Sequence, residues 1–109
     1  MREIKFRCFS TKENKFHYYT RNNIAGYTNV WADDCLNGYP LEQFTGLHDK
    51  HGVEIYEGDI VSFGDWNEKK GQIMFHNGIW LIDIGEAYLY LYRSKNHKII
   101  GNIHEELEP

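Results

Sequence analysis

The chain has 109 residues, a length typical of one compact domain and too short for a two-domain enzyme built on a large cofactor fold. Its 41% apolar and 26% charged residues exclude a disordered or low-complexity chain, and its formal net charge of −4 opposes non-specific attraction to phosphate. The aromatic content of 16% is high and favours β-strands.

The first twenty residues are predicted to form a β-hairpin. Apolar and basic residues alternate over residues 4–8, which is typical of a strand with one buried face, and Lys5 and Arg7 are expected to point to water. Residues 10–14 are polar and turn-like, and residues 15–20 return to a β-prone pattern. Asn and Gly repeatedly interrupt residues 21–40, which are therefore predicted to be an irregular region.

The next segment alternates apolar anchors with turn residues. Asp49 and Gly52 stand in the order that suits a type I turn followed by a left-handed residue, and residues 53–56 leave this turn as a strand. Gly58 permits a second sharp turn, in which the Asp59 carboxylate can accept a hydrogen bond from local backbone. Residues 60–63 form the next strand, and the polar loop that follows is a natural place for an exposed Trp66.

The strongest local signal is the pair Asn77 and Gly78. Asn-Gly is the preferred pair for a type I′ turn, because both central residues need a positive φ. Apolar residues flank this pair on both sides, so residues 72–76 and 79–83 are predicted to form a hairpin.

Two more strands are predicted after this hairpin. Residues 86–92 place Tyr88, Tyr90 and Tyr92 on one face and two leucines on the other. Residues 98–103 close the series. Because short strands alternate with turns and no helical period of useful length occurs, the pattern indicates a small all-β barrel or sandwich.

The sequence also bears on the cellular compartment. No stretch approaches the roughly 20 apolar residues of a membrane span, and the N-terminus lacks the apolar run of a secretion signal, so we expect a cytoplasmic protein with no membrane partner. In a reducing compartment, Cys8 and Cys35 are expected to be buried thiols rather than a disulfide.

Three blocks of the sequence carry a resemblance to a known family. They are residues 1–7 (MREIKFR), residues 43–61 (QFTGL, then Gly52, then EIYEGDIV) and residues 100–103 (IGNI). In these blocks, and in their order along nearly the whole chain, the sequence resembles the YopX-like proteins encoded by bacterial phages and prophages. The departures are mild: Cys8 and Phe9 stand where the family usually has a small residue and Trp, and His104 stands where we expect Tyr.

The resemblance sharpens the fold and leaves the activity open. It implies a mostly β fold whose later part looks like an SH3-type barrel. We therefore predict a single all-β domain in which an N-terminal hairpin and irregular region, residues 1–40, precede a small SH3-like barrel, residues 41–109. The resemblance also implies a phage- or prophage-encoded protein of unknown function in the cytoplasm of a bacterial host cell.

The motifs for catalysis or metal binding are weak. There is no nucleophile elbow, glycine-rich phosphate loop or forced carboxylate pair, so we predict no catalytic residue, no cofactor and no enzyme activity. His48 and His51 have an H-x-x-H spacing, but they span a turn and lack a third ligand, so no metal site is predicted. The least favoured function is a hydrolase of unrecognised type, with candidate residues Glu54, Glu57, Asp59 and His76.

The favoured function is a protein-binding or adaptor module that engages another protein or a second copy of itself. The alternative is single-stranded nucleic-acid binding, in which tyrosines stack on bases beside basic residues. Charge does not support the alternative, because the half of the chain that carries the tyrosines is acidic. Residues 51–109 have ten Asp or Glu and five Lys or Arg, a charge of −5. Residues 1–21 have six Lys or Arg and two Glu, a charge of +4. The candidate surface for either function comprises Trp66, Tyr88, Tyr90, Tyr92, Arg93, Lys95 and Lys98.

Overall fold

The computed structural model describes residues 4–10, 13–20, 41–64, 68–93 and 96–105. Within these ranges the chain is all-β apart from one 3-10 turn at Leu91–Arg93, so the predicted fold class is confirmed. No helix in the described part is long and apolar enough to span a membrane. The strands are β1 (Lys5–Ser10), β2 (Lys15–Thr20), β3 (Glu42–His48), β4 (Glu54–Tyr56), β5 (Asp59–Phe63), β6 (Lys69–His76), β7 (Ile79–Asp83), β8 (Tyr88–Tyr90) and β9 (Lys98–Asn102).

The strands form two antiparallel sheets, one of them a half-barrel. The hydrogen-bonded order is β2-β1-β3-β4 in the first sheet and β8-β7-β6-β5-β9 in the second. The chain divides into two compact units, Met1–Phe44 and Thr45–Pro109. The predicted single domain, with parts 1–40 and 41–109, stays a prediction, and the irregular region 21–40 lies outside the described residues.

The first unit contains the predicted N-terminal hairpin. β1 and β2 pair in register from Lys5 opposite Thr20 to Ser10 opposite Lys15. At the end of the hairpin, the Asn14 backbone N–H donates to the Ser10 carbonyl at 2.7 Å, and Asn14 has a φ of 56°. Cys8 is fully buried in β1 and is disulfide-bonded, so the expectation of a free thiol at this position is wrong.

Arg7 is buried rather than directed to water, contrary to the prediction from strand alternation. In the pairing of β1 with β3, Arg7 lies opposite Glu42. The Arg7 Nε donates to Glu42 Oε1 at 2.7 Å, and the guanidinium lies 4.1 Å from the centroid of the Phe16 ring. A charged side chain is buried only when it is paired, and Glu42, 35 residues away along the chain, supplies the opposite charge.

The second unit is built around a core of six buried apolar residues. They come from five different elements, so burying them draws the strands into one body. On the core face, Ile73 of β6 pairs with Ile82 of β7, and Gly71 of β6 pairs with Val61 of β5. The six residues are Ile55, Val61, Phe63, Ile73, Ile82 and Leu91.

The turn at Glu57 and Gly58 joins three strands of this unit. The Asp59 carboxylate accepts a hydrogen bond from the Tyr56 backbone N–H at 2.8 Å, as predicted. The Gly58 N–H donates to the Ile73 carbonyl at 2.9 Å, and the Gly58 carbonyl accepts from the Ile103 N–H at 3.0 Å. Gly58 has a φ of 88°, so the turn needs the conformational freedom of glycine.

The Asn77-Gly78 hairpin is confirmed. β6 and β7 pair from His76 opposite Ile79 to Gln72 opposite Asp83. Asn77 and Gly78 have φ values of 52° and 80°, the positive values that a type I′ turn requires.

We expect Gly78→Val to lower the free energy of unfolding by about 1–3 kcal/mol, because a β-branched residue resists a positive φ. The space is open, with no heavy atom within 4 Å of an added Cβ, so the effect comes from the backbone conformation alone. Urea denaturation followed by circular dichroism measures it. Gly78→Asn is the control, because Asn tolerates this conformation, and an equal loss in both variants would contradict the explanation.

Two elements differ from the sequence prediction. The sequence does not predict β3, because Gly46 interrupts its pattern. Gly46 has a φ of 89°, which is outside regular strand geometry. The predicted strand over residues 86–92 is only Tyr88–Tyr90, because the chain then turns into the 3-10 segment. That turn buries Leu91 completely in the core.

Candidate binding surface

The three predicted tyrosines are exposed in the structure. Tyr88 and Tyr90 lie on the same face of β8, with exposed fractions of 61% and 45%, and Tyr92 in the 3-10 turn is 64% exposed. The rings of Tyr90 and Tyr92 are adjacent, with centroids 5.6 Å apart. The turn after β8 therefore keeps Tyr92 beside Tyr90, although Tyr92 is not in the strand.

Tyr92 also forms one wall of an apolar groove of about 360 Å³. The Thr45 hydroxyl, the most polar group on the other wall, is engaged within the fold: it donates to the Ile55 carbonyl at 2.8 Å and accepts from the Leu47 N–H at 3.1 Å. The other side chains that line the groove are aliphatic or aromatic. The lining residues are Thr45, Leu47, Gly78, Ile79, Trp80 and Tyr92.

Trp80 connects the groove to the core. Its ring packs against Phe75 with centroids 4.7 Å apart, and the residue also packs against the buried core cluster. The Trp80 indole Nε1 is buried, and among the described residues no acceptor lies within hydrogen-bonding distance. A buried donor without an acceptor costs about 1–3 kcal/mol.

The exposed apolar side chains of the groove and of β8 and its following turn form one apolar area, which we call the aromatic surface. None of its side chains is charged, and each is more than a third exposed. Sequence reasoning identified the tyrosines and missed the other members, which flank the Asn77-Gly78 turn or lie in the unrecognised strand β3. The aromatic surface comprises Leu47, Ile79, Tyr88, Tyr90 and Tyr92.

Of the predicted basic residues, the two that the structure describes, Arg93 and Lys98, lie outside the strand of Tyr88 and Tyr90. Lys98 is exposed on β9, and β8 and β9 are the two edge strands in the hydrogen-bonded order. Arg93 ends the 3-10 turn directly after Tyr92. Trp66 and Lys95 lie outside the described residues.

Two of the polar residues considered for catalysis, Glu54 and Asp59, accept hydrogen bonds from Tyr56. Asp59 caps the turn at Gly58, and Glu54 accepts a hydrogen bond from the Tyr56 hydroxyl at 3.1 Å. His76 is exposed at the end of β6, and none of these residues lines the groove. Across the described ranges, no group of three His, Cys, Asp or Glu side chains is placed to hold a metal ion.

Asp49, between the two histidines of the H-x-x-H pair, has a structural role. Its carboxylate accepts backbone hydrogen bonds from His51 at 2.8 Å, Val53 at 2.9 Å and Ile99 at 3.2 Å. Burial acts to raise the pKa of Asp49, but these donors and His51 favour the charged form more strongly, so its pKa lies below the ordinary value. The Lys50 N–H donates to the His97 carbonyl at 2.8 Å, which ties the same turn to the start of β9.

This junction predicts a loss of stability in acid. Burial lowers the pKa of His97, and the charge of Asp49 only partly opposes this effect. Below the ordinary value of 6.5, the unfolded chain therefore binds a proton at His97 more readily than the folded chain does. Stability should therefore fall as the pH drops through 6.5. The contribution of Asp49 persists above its ordinary pKa of 3.8 and is lost as the pH falls through its lowered folded value.

Melting temperatures of the wild type and of His97→Gln, measured between about pH 7.5 and pH 5, test this prediction. The variant should show the smaller decrease, because the other histidines are common to both proteins. Equal decreases would show that His97 does not contribute.

Comparisons with known proteins agree with the fold. The family described as YopX protein matches residues 1–108. No curated protein matches the chain. Among solved structures, the crystal structure of protein EF1440 from Enterococcus faecalis is similar, with a TM-score of 0.56 and 22% identity over 93% of each chain, a likeness that shows the fold alone. Because the family match spans nearly every residue, the chain belongs to the YopX family.

Proposed function

We propose that this chain is a non-enzymatic protein-binding or adaptor module, encoded by a phage or prophage and acting in the cytoplasm of the bacterial host. The observation that carries the proposal is the aromatic surface with its adjoining groove. We further propose that residues 41–109 form an SH3-like barrel. The return of β9 to pair with β5 supports this, since it brings the last strand back to an early one.

The chemistry of the aromatic surface fits a protein partner. Contiguous exposed apolar side chains on a small domain mark interaction sites, and tyrosine is enriched at such sites because its ring is apolar and its tip is polar. A tyrosine side chain has only two rotatable angles, so ordering it on binding costs little entropy. The groove beside Tyr92 can receive an apolar anchor from the partner.

The described polar groups support catalysis less than the aromatic surface supports protein binding. Asp59, Glu54 and Asp49 each accept hydrogen bonds from within the fold. The groove, where a substrate would bind, is lined by no carboxylate, imidazole or lysine. A binding role therefore needs only the apolar side chains that line the groove, whereas a hydrolase would need an acid or a base there as well.

The test compares capture of host proteins by three immobilised forms of the chain. The wild type and Tyr18→Ser should retain the same partner, because Tyr18 is 58% exposed but lies in the first unit. The double variant Tyr88→Ser and Tyr92→Ser should lose it. A partner retained by the double variant would overturn the proposed site, and capture of no protein by any form would overturn the proposed function.

Nucleic-acid binding is the alternative outcome. Exposed tyrosine rings can stack on bases, but none of the five residues that define the aromatic surface is a cation that could contact phosphate. Binding of a fluorescent oligonucleotide that weakens with salt and is lost in the double tyrosine variant would replace the protein-binding proposal.

A further inference from the structure

We propose that the aromatic surface is an interface between two copies of this chain, each covering the aromatic surface of the other. This inference rests on the proposed function, which requires only that some protein binds there. It commits to the second copy as the partner on two grounds, the size of the surface and its lack of charge.

The exposed area is a large part of what a stable dimer needs. From their exposed fractions, the five side chains leave on the order of 500 Å² accessible, against about 800 Å² that each partner buries in a standard interface. The neighbouring backbone and polar side chains supply the remaining area when a partner docks. The three tyrosines account for more than half of this area, so they should dominate the contact.

The surface is also continuous. Leu47, Ile79 and Tyr92 line one groove, and the Tyr90 ring lies beside that of Tyr92. Tyr88 follows on the same face of β8, which is also the face of Ile79 in the pairing of β7 with β8. A two-fold contact requires one self-complementary patch, and these contacts place all five residues in one patch.

The lack of charge favours self-pairing. In a two-fold interface each patch meets an identical patch, so a charged residue near the axis would face its own copy. The chain has a formal charge of −4, yet all five residues of the aromatic surface are uncharged. In the strand pairing, two described titratable side chains lie next to the aromatic surface. Asp83 is opposite Tyr88 and His76 is opposite Ile79, and both lie at the margin of the surface. A partner selected by charge would instead need charged groups inside the patch.

The groove gives the two copies a way to interlock. Each copy presents tyrosines that project from β8 and the 3-10 turn, and each also presents an apolar groove next to them. Insertion of an aromatic ring into a groove of this size is a usual form of anchor in protein interfaces.

Sedimentation equilibrium of the purified chain tests the inference. At about 100 µM, well above the micromolar limit for interfaces of this size, we expect a mass of two chains. Tyr92→Asp and, separately, Ile79→Asp should shift the protein to the monomer, because each places two like charges in the interface. Both positions are exposed, and circular dichroism verifies that each variant is folded. Tyr18→Asp, at an exposed tyrosine of the first unit, should remain a dimer.

Each outcome bears on the inference. A monomeric wild type overturns it, and so does a dimer that both aspartate variants retain, because the copies would then meet elsewhere. A monomeric chain that still captures a different protein through Tyr88 and Tyr92 refutes only this inference. A monomeric chain that captures nothing refutes the proposed function as well.

Discussion

Gly71→Ala should lower the free energy of unfolding by about 3 kcal/mol, at the upper end of the usual cost of overpacking. A Cβ at this position would lie 2.5 Å from Ile82 Cγ2 and 2.7 Å from the Asp83 carbonyl oxygen. The first atom belongs to a fully buried core side chain, and the second belongs to the backbone of β7. Neither can move aside without separating β6 from β7, so the hairpin itself must distort.

Urea denaturation of Gly71→Ala and Gly46→Ala separates a steric clash from a backbone effect. Gly46 has a φ of 89° but no heavy atom within 4 Å of an added Cβ, so its substitution should cost only about 1–2 kcal/mol. A smaller loss at Gly71 than at Gly46 would contradict the close approach of the two strands.

Arg7→Met should lower the free energy of unfolding by about 3–5 kcal/mol, because the Glu42 carboxylate would stay buried without its partner. The two side chains are only 5% and 3% exposed, so water cannot take over the lost hydrogen bond. Burying a lone carboxylate costs far more than burying a methionine gains.

The double variant Arg7→Met and Glu42→Leu distinguishes this mechanism from a loss of packing. With both charges removed, we expect most of the stability to return. Lys15→Ala is the surface control, because its pairing with Glu13 at 3.5 Å is exposed and is worth less than about 1 kcal/mol. A double variant no more stable than Arg7→Met would mean that the aliphatic packing of Arg7, rather than its charge, matters.

Much of the fold could be predicted from the sequence because its signals are local. Asn77-Gly78 fixes both the turn and the register of β6 and β7. The turn at Asp59 could be identified because a carboxylate three residues after Tyr56 is within reach of that N–H. The exposure of Tyr88 and Tyr90 followed from alternation along a strand.

Features that depend on distant partners could not be predicted in this way. Alternation placed Arg7 in water, because nothing near it in sequence reveals that Glu42 pairs with it. The 3-10 turn after β8 forms because Leu91 enters a core assembled from distant strands. The groove joins β3 to the Asn77-Gly78 turn and to Tyr92, three segments whose proximity is a product of the tertiary fold.

The order of strands in the second sheet has a consequence for synthesis of the protein. β5 pairs on one side with β6, which follows it directly, and on the other side with β9, about forty residues later. Until β9 has left the ribosome, the outer backbone groups of β5 lack their final partner. A nascent chain at this stage presents the open edge of β5, and open strand edges readily pair with other chains. Translational pausing or truncation before Lys98 should therefore favour aggregation.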